Sequence, residues 1–121
     1  MKTRRFLVVV MLLFAFAAPV GGDDLAASVD SLTNRAAHGE ADAQFFLSLI
    51  YTVGEYVPQD YVQAHKWFNL AAATYTEKED RDKAVKARDC VAARMTPAQI
   101  TEAQKLAREW KSNRRRRRYS D

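Results

Sequence analysis

The sequence predicts an all-α protein, a short α/α solenoid of about five helices that pair as antiparallel hairpins. Apolar residues recur at helical spacing in five successive segments, which is typical of amphipathic helices. Beyond the N-terminus, the glycines and prolines lie between these segments and not inside them. The 121 residues include one cysteine and two histidines, too few for an internal disulfide or a four-ligand zinc site. We therefore expect side-chain burial to stabilise the fold, with no metal and no cofactor.

The first 22 residues have the pattern of a secretory signal peptide. Basic residues at positions 2, 4 and 5 precede an uncharged apolar run over 6–20. This run of about fifteen residues is shorter than the roughly twenty that a membrane-spanning helix needs. Small residues allow cleavage after Ala17 or after Gly22. We expect an exported protein, periplasmic or secreted, with no transmembrane span after cleavage.

Each of the five segments places its apolar residues on one side of a helix. In chain order, these sets are Leu25, Val29, Leu32 and Ala36; Ala43, Phe46, Leu47, Ile50 and Tyr51; Tyr61, Ala64, Trp67, Phe68, Ala71 and Ala72; Ala84, Ala87, Val91 and Met95; and Ile100, Ala103, Leu106, Ala107 and Trp110. Because the connections are short, we expect consecutive helices to pack as antiparallel hairpins.

The residues at the ends of the segments are those expected at helix ends. Gly39 suits a left-handed end of the first helix. Three later helices begin with the spacing of a capping box, in which an N-cap oxygen and the side chain three residues later satisfy free amides. The pairs are Asp60 with Gln63, Thr76 with Glu79, and Thr96 with Gln99.

An internal repeat indicates stacked helix pairs. At an offset of 35 residues, the first segment matches the third: Leu32, Asn34, Ala36 and Ala37 align with Trp67, Asn69, Ala71 and Ala72. At an offset of 41, the second segment aligns with the fourth, whose side chains are smaller. A period near 35 is typical of α/α repeat proteins.

The segment 41–73 resembles one complete repeat of the Sel-one-like family, a tetratricopeptide-related α/α solenoid. The matching positions are Ala43, Leu47, Tyr51, Gly54, Pro58, Asp60, Ala64, Trp67, Ala71 and Ala72. Residues 25–39 resemble part of a preceding repeat, and 77–111 a degenerate capping hairpin, so the helical domain spans 23–111. Ser48, Tyr56 and Thr74 stand where the family usually has glycine. Tyr56 would therefore be strained if the loop still required a positive φ there.

The resemblance implies a protein-protein interaction scaffold or adaptor that binds a protein or peptide on the solenoid surface, not an enzyme. The second helix is apolar almost all round, which indicates that it is covered on most sides. Its apolar residues either all lie in the core between the first and third helices, or leave Phe45 and Leu49 exposed as a docking patch. An enzyme is not expected, because the sequence shows no nucleophile-base pair and no set of metal ligands.

The charge distribution offers an alternative function. Residues 23–110 carry ten basic and fourteen acidic side chains, a net charge of −4, whereas residues 111–121 carry six basic and one acidic, a net charge of +5. The basic residues are Lys111, Arg114, Arg115, Arg116, Arg117 and Arg118. We expect residues 112–121 to form a flexible tail. It is simply solvated, lies on the acidic body, or attracts anionic surfaces of the cell envelope with the repeats as a spacer. Export makes a nucleic acid partner unexpected.

The remaining candidates for chemistry have structural explanations. Cys90 is expected to be a half-buried thiol, His38 a residue at a helix end and His65 a surface residue. Alternating charges over 77–83 fit a solvated helix with the ion pairs Glu79/Lys83 and Asp82/Lys86.

Export predicts that the cell-envelope or secreted form begins at residue 18 or 23. N-terminal sequencing and intact mass of the protein recovered from those fractions will measure this. Soluble cytoplasmic protein that retains Met1 would contradict it.

Overall fold

The computed structural model describes residues 22–121, with side chains from residue 27 onward. This part contains five helices and no strand: α1 Gly22–Ala37, α2 Ala41–Val53, α3 Tyr61–Thr74, α4 Lys78–Ala92 and α5 Pro97–Ser120. The all-α class and the number of helices are confirmed. Apart from Gly22, the predicted signal peptide lies outside the described residues.

Most of the predicted helix ends are present. Gly39 and Gly54 have φ of 93° and 76°, the left-handed conformation that ends α1 and α2. The Asp60 carboxylate accepts a hydrogen bond from the Gln63 amide at 3.0 Å. Thr96 and Gln99 form both bonds of a capping box, at 2.9 and 3.2 Å. These caps set where the short connections turn.

The capping box predicted for α4 is wrong. The N-cap of α4 is Glu77, and its side chain makes no capping bond. The helix begins one residue later than the pattern Thr76 to Glu79 requires. The Thr76 carbonyl instead accepts a hydrogen bond from the Arg81 guanidinium.

The connection between α2 and α3 avoids the strain expected at Tyr56. Among the described residues, only glycines have positive φ. The Asp60 amide donates to the Tyr51 carbonyl at 3.0 Å, and the Gln59 side chain donates to the Thr52 carbonyl at the same distance. These bonds hold the loop against the end of α2 with one left-handed residue, Gly54.

Helix α3 is the centre of the fold. It packs against α2, α4 and α5, while α1 packs on α2. A first core cluster lies between α3, α1, α2 and α5 and contains Ala36, Ala43, Leu47, Trp67, Leu70 and Ala107. A second cluster lies towards α4 and contains Ala64, Phe68 and Val91. Burying both sides of α3 therefore joins the helices into one unit.

Helix α5 departs from the expected arrangement. Its main partner is α3 and not α4, which precedes it in sequence. Trp110 on α5 packs edge-on against Trp67, with ring centroids 6.1 Å apart. The helix also continues to Ser120, so residues 112–120, expected to form a flexible tail, are helical. Within residues 22–121, no helix combines the length and apolar character needed to cross a membrane.

Trp67→Ala tests the central position of α3. Trp67 is 5% exposed, so its truncation should lower the free energy of unfolding by about 3–5 kcal/mol. Phe46→Ala is the control, because that ring is 55% exposed and its loss should cost less than about 1 kcal/mol. Urea unfolding followed by circular dichroism measures both. Equal costs would contradict the assignment of Trp67 to the core.

Candidate functional site

Helix α2 has an apolar line on the side that faces away from its buried residues. Its buried residues are Ala43, Gln44, Leu47 and Ser48. By helical geometry, Asp42, Phe46, Leu49 and Val53 form a line on the opposite side, which we call the α2 outer line. Phe46 is 55% exposed, and Leu49 and Val53 are half-buried. The outer line is thus apolar where a solvated helix is usually polar.

This arrangement bears on the two alternatives for Phe45 and Leu49, burial in the core or an exposed docking patch. Phe45 and Leu49 are both half-buried against the second core cluster. The Phe45 ring lies edge-on to Phe68, with centroids 5.4 Å apart. Phe46, which the apolar pattern assigned to the core, is instead the exposed aromatic residue of α2. Leu49 therefore belongs to the edge of the candidate surface, whereas Phe45 supports it from below.

Two buried polar residues explain why the pattern misplaced Phe46. Gln44 and Ser48 occupy the core-facing positions that the prediction gave to apolar residues. The Gln44 amide donates to the Ala36 carbonyl at 3.2 Å, which satisfies a free group at the end of α1. The Ser48 hydroxyl donates to the Gln44 carbonyl at 2.8 Å. These hydrogen bonds offset part of the cost of burying the two side chains, whereas Gln44 Oε1 is buried with no hydrogen-bond partner among the described residues. Hydrophobicity alone does not show these hydrogen bonds.

The start of α2 is attached to the end of α3. The Tyr75 hydroxyl donates to the Asp42 carboxylate at 2.7 Å. Burial and the hydrogen bond to this carboxylate raise the pKa of Tyr75. The Tyr75 ring also lies edge-on to Phe45, with centroids 6.5 Å apart. These contacts hold one end of the α2 outer line in place.

Of the two histidines and the cysteine, only His38 lies where the sequence predicted. His65 is 3% exposed, so the prediction of a surface residue is wrong; burial and nearby Arg88 lower its pKa. Cys90 is exposed and not half-buried. His38 lies at the end of α1, where its Nδ1 donates to the Asn34 carbonyl at 2.7 Å. In the described part of the chain, no three His, Cys, Asp or Glu side chains group as metal ligands.

Arg114 anchors the basic end of α5 to the end of α1. Its guanidinium lies over the Trp110 ring, 5.2 Å from the ring centroid. It also lies directly against Gly39, in the space that a Cβ at that position would fill. Lys111 is half-buried, whereas Arg115, Arg116, Arg117 and Arg118 are exposed. Two features of the sequence are consistent with this contact. One is a glycine at a left-handed helix end, and the other is an arginine four residues after a tryptophan.

Gly39→Ala tests this anchor. A side chain at position 39 is strained by the positive φ and collides with Arg114, so the free energy of unfolding should fall by about 1–3 kcal/mol. In an Arg114→Ala background the same change should cost less, because only the φ strain remains. Thermal and urea unfolding of the four proteins measure this coupling. An identical cost in both backgrounds would show that Arg114 does not rest on Gly39.

Comparisons of the chain with protein-family models, with curated proteins and with solved structures found no match. Membership of the Sel-one-like repeat family therefore stays a prediction from the residues of the 41–73 segment. The two candidate surfaces, the α2 outer line and the basic end of α5, stand on the geometry described above.

Proposed function

We propose that this chain is an exported, non-catalytic helical-repeat module of the Sel-one-like type that binds another protein. Its partner would place an apolar segment, a helix or an extended peptide, on the α2 outer line. The observation that carries the proposal is the exposure of Phe46 above Leu49 and Val53. Aromatic residues on such apolar lines are frequent anchors in protein interfaces.

The packing of the helices supports the choice of a repeat module. Helices α1 to α4 contact one another in chain order, and α5 stacks on α3 two helices earlier. Most of these helix contacts are between near neighbours, as is typical of solenoids, which present broad surfaces in place of a closed cleft, although α5 also reaches the turn after α1 through Arg114 and Gly39. The Phe45 ring packs edge-on against Phe68, and this contact holds α2 in place, together with the exposed Phe46.

The surroundings of the reactive side chains favour binding over catalysis. His65 is enclosed in the core, and burial lowers its pKa, which keeps the ring neutral at neutral pH. The His38 Nδ1 atom is engaged by a backbone carbonyl of its own helix. The enclosed His65 ring is therefore out of reach of a bound substrate, whereas the His38 ring is exposed and its Nδ1 contact leaves Nε2 as the basic nitrogen.

Site-specific photo-cross-linking tests the proposal in the organism that makes the protein. Benzoylphenylalanine at position 46 of the full chain should give a discrete cross-linked protein, whose identity is then read by mass spectrometry. The matched control places the same group at Ala98, which is exposed on α5. Phe46→Asp should weaken binding of the identified partner by at least about tenfold, because an anchor of the interface is lost.

Weaker partner binding by Phe46→Asp supports the proposal only if this variant retains the parent's fold. Phe46→Asp should keep the helical circular dichroism and melting temperature of the parent, and Ala98→Asp should change neither fold nor binding. Cross-linking at position 98 but not at 46, or full affinity of Phe46→Asp, would overturn the proposal.

A further inference from the structure

The outer side of helix α5 carries four exposed cations in one line. The first is Lys105, and Arg108, Arg115 and Arg116 follow it after three, ten and eleven residues. This spacing places all four along one side of the helix. Over this interval the helix rises about 16 Å. Among the described residues there are four ion pairs, and none includes these cations. We call this line the basic ridge: Lys105, Arg108, Ser112, Arg115, Arg116 and Tyr119. The exposed Glu109, four residues after Lys105, lies beside it and lowers the charge of this side from +4 to +3.

The opposite side of α5 is covered. Ala103 and Ala107 are buried, and Trp110 packs on Trp67. One turn further, Arg114 rests on Gly39. These contacts leave only the outer side of α5 open to a partner. The four cations can be met together only by a surface that approaches from one side.

The C-terminal end of the ridge has the groups that bind a phosphate. A shallow depression there is lined by Ser112, Arg115, Arg116, Tyr119 and Ser120. Two guanidinium groups offer paired N–H donors that match the geometry of phosphate oxygens. The hydroxyls of Ser112 and Tyr119 add neutral donors, whereas the Ser120 hydroxyl donates to the Arg117 carbonyl at 3.0 Å. The depression is open to solvent, so it suits a phosphate that is carried on a surface.

We propose that the basic ridge docks the protein on a bilayer rich in anionic phospholipid, with a headgroup phosphate in this depression. Apart from the ring of Tyr119, the ridge has no apolar side chain, so the attraction is electrostatic and does not require insertion. Tyr119 is 90% exposed and has the amphipathic ring that is frequent at membrane interfaces. The ridge lies on a different helix from the α2 outer line and does not depend on the proposed protein partner.

Co-sedimentation of the full chain with lipid vesicles tests this proposal. The parent should partition onto vesicles of equal parts phosphatidylglycerol and phosphatidylcholine, and the partition should fall steeply between about 50 and 500 mM NaCl. Replacing the four ridge cations by glutamine should lower the partition coefficient on the order of 100-fold at low salt. Vesicles of phosphatidylcholine alone report the apolar contribution of residues 1–21, and the charge contribution of their three basic residues is the same in all variants.

A second variant removes the same charge from another helix. Glutamine at Lys78, Arg81, Lys83 and Lys86 of α4 gives the same net charge, and two of these cations already pair with acidic residues of α4. This variant should retain most of the parent's partition. Circular dichroism must show the parent's helicity for both variants. Equal losses would show that net charge and not the ridge drives binding, and would overturn the proposal.

Single-stranded RNA serves as the competing polyanion. If the parent binds RNA through the ridge cations but does not partition onto anionic vesicles, the proposal is overturned in favour of a nucleic acid partner. Vesicle binding that survives in the ridge variant overturns it as well. Neither result bears on the cross-linking at position 46, so the two proposals fail separately.

Discussion

The rest of the structure depends on the burial of helix α3 on two sides. Trp67 and Leu70 fill the cluster shared with α1, α2 and α5, whereas Ala64 and Phe68 fill the cluster shared with α4. A chain with one cysteine has no internal disulfide, so this apolar burial has to offset the conformational entropy lost on folding. Each other helix is held by α3 directly, or, in the case of α1, through α2. Both candidate surfaces are outer sides of helices that α3 supports.

Polar contacts then set the positions of the helix ends. The Gln44 amide reaches the last turn of α1, and the Tyr75 hydroxyl connects the end of α3 to the start of α2. Arg114 joins α5 to the turn after α1, which is possible because Gly39 has no side chain. Each contact is small in energy compared with the core, but each joins elements distant in sequence. They decide how α2 and α5 are rotated, and so which residues reach the solvent.

The charges of α4 and α5 are handled differently. On α4, Lys78 pairs with Asp82 at 2.7 Å and Lys83 with Glu79 at 3.6 Å, so positive and negative groups neutralise each other along the same helix. Such exposed pairs contribute little to stability. The cations of the basic ridge on α5 form no ion pair among the described residues, although Glu102 and Glu109 lie within one turn of Lys105, and the net field of the ridge is positive. The apolar line of α2 and the basic ridge of α5 are the two candidate binding surfaces proposed for the described residues.

The amino-acid pattern alone determined the helical class, the five helices, the core positions of Trp67 and Leu47, and the ends at Gly39, Asp60 and Thr96. These depend on local spacing and on hydrogen bonds within a few residues, which a sequence displays directly. The tertiary structure decided that Phe46 is exposed, that His65 is buried, that α5 packs on α3 and that Arg114 holds the basic helix. Those outcomes depend on rotation of whole helices and on contacts between residues far apart in the chain. A periodic apolar pattern leaves these undetermined when a helix such as α2 is apolar on nearly every side.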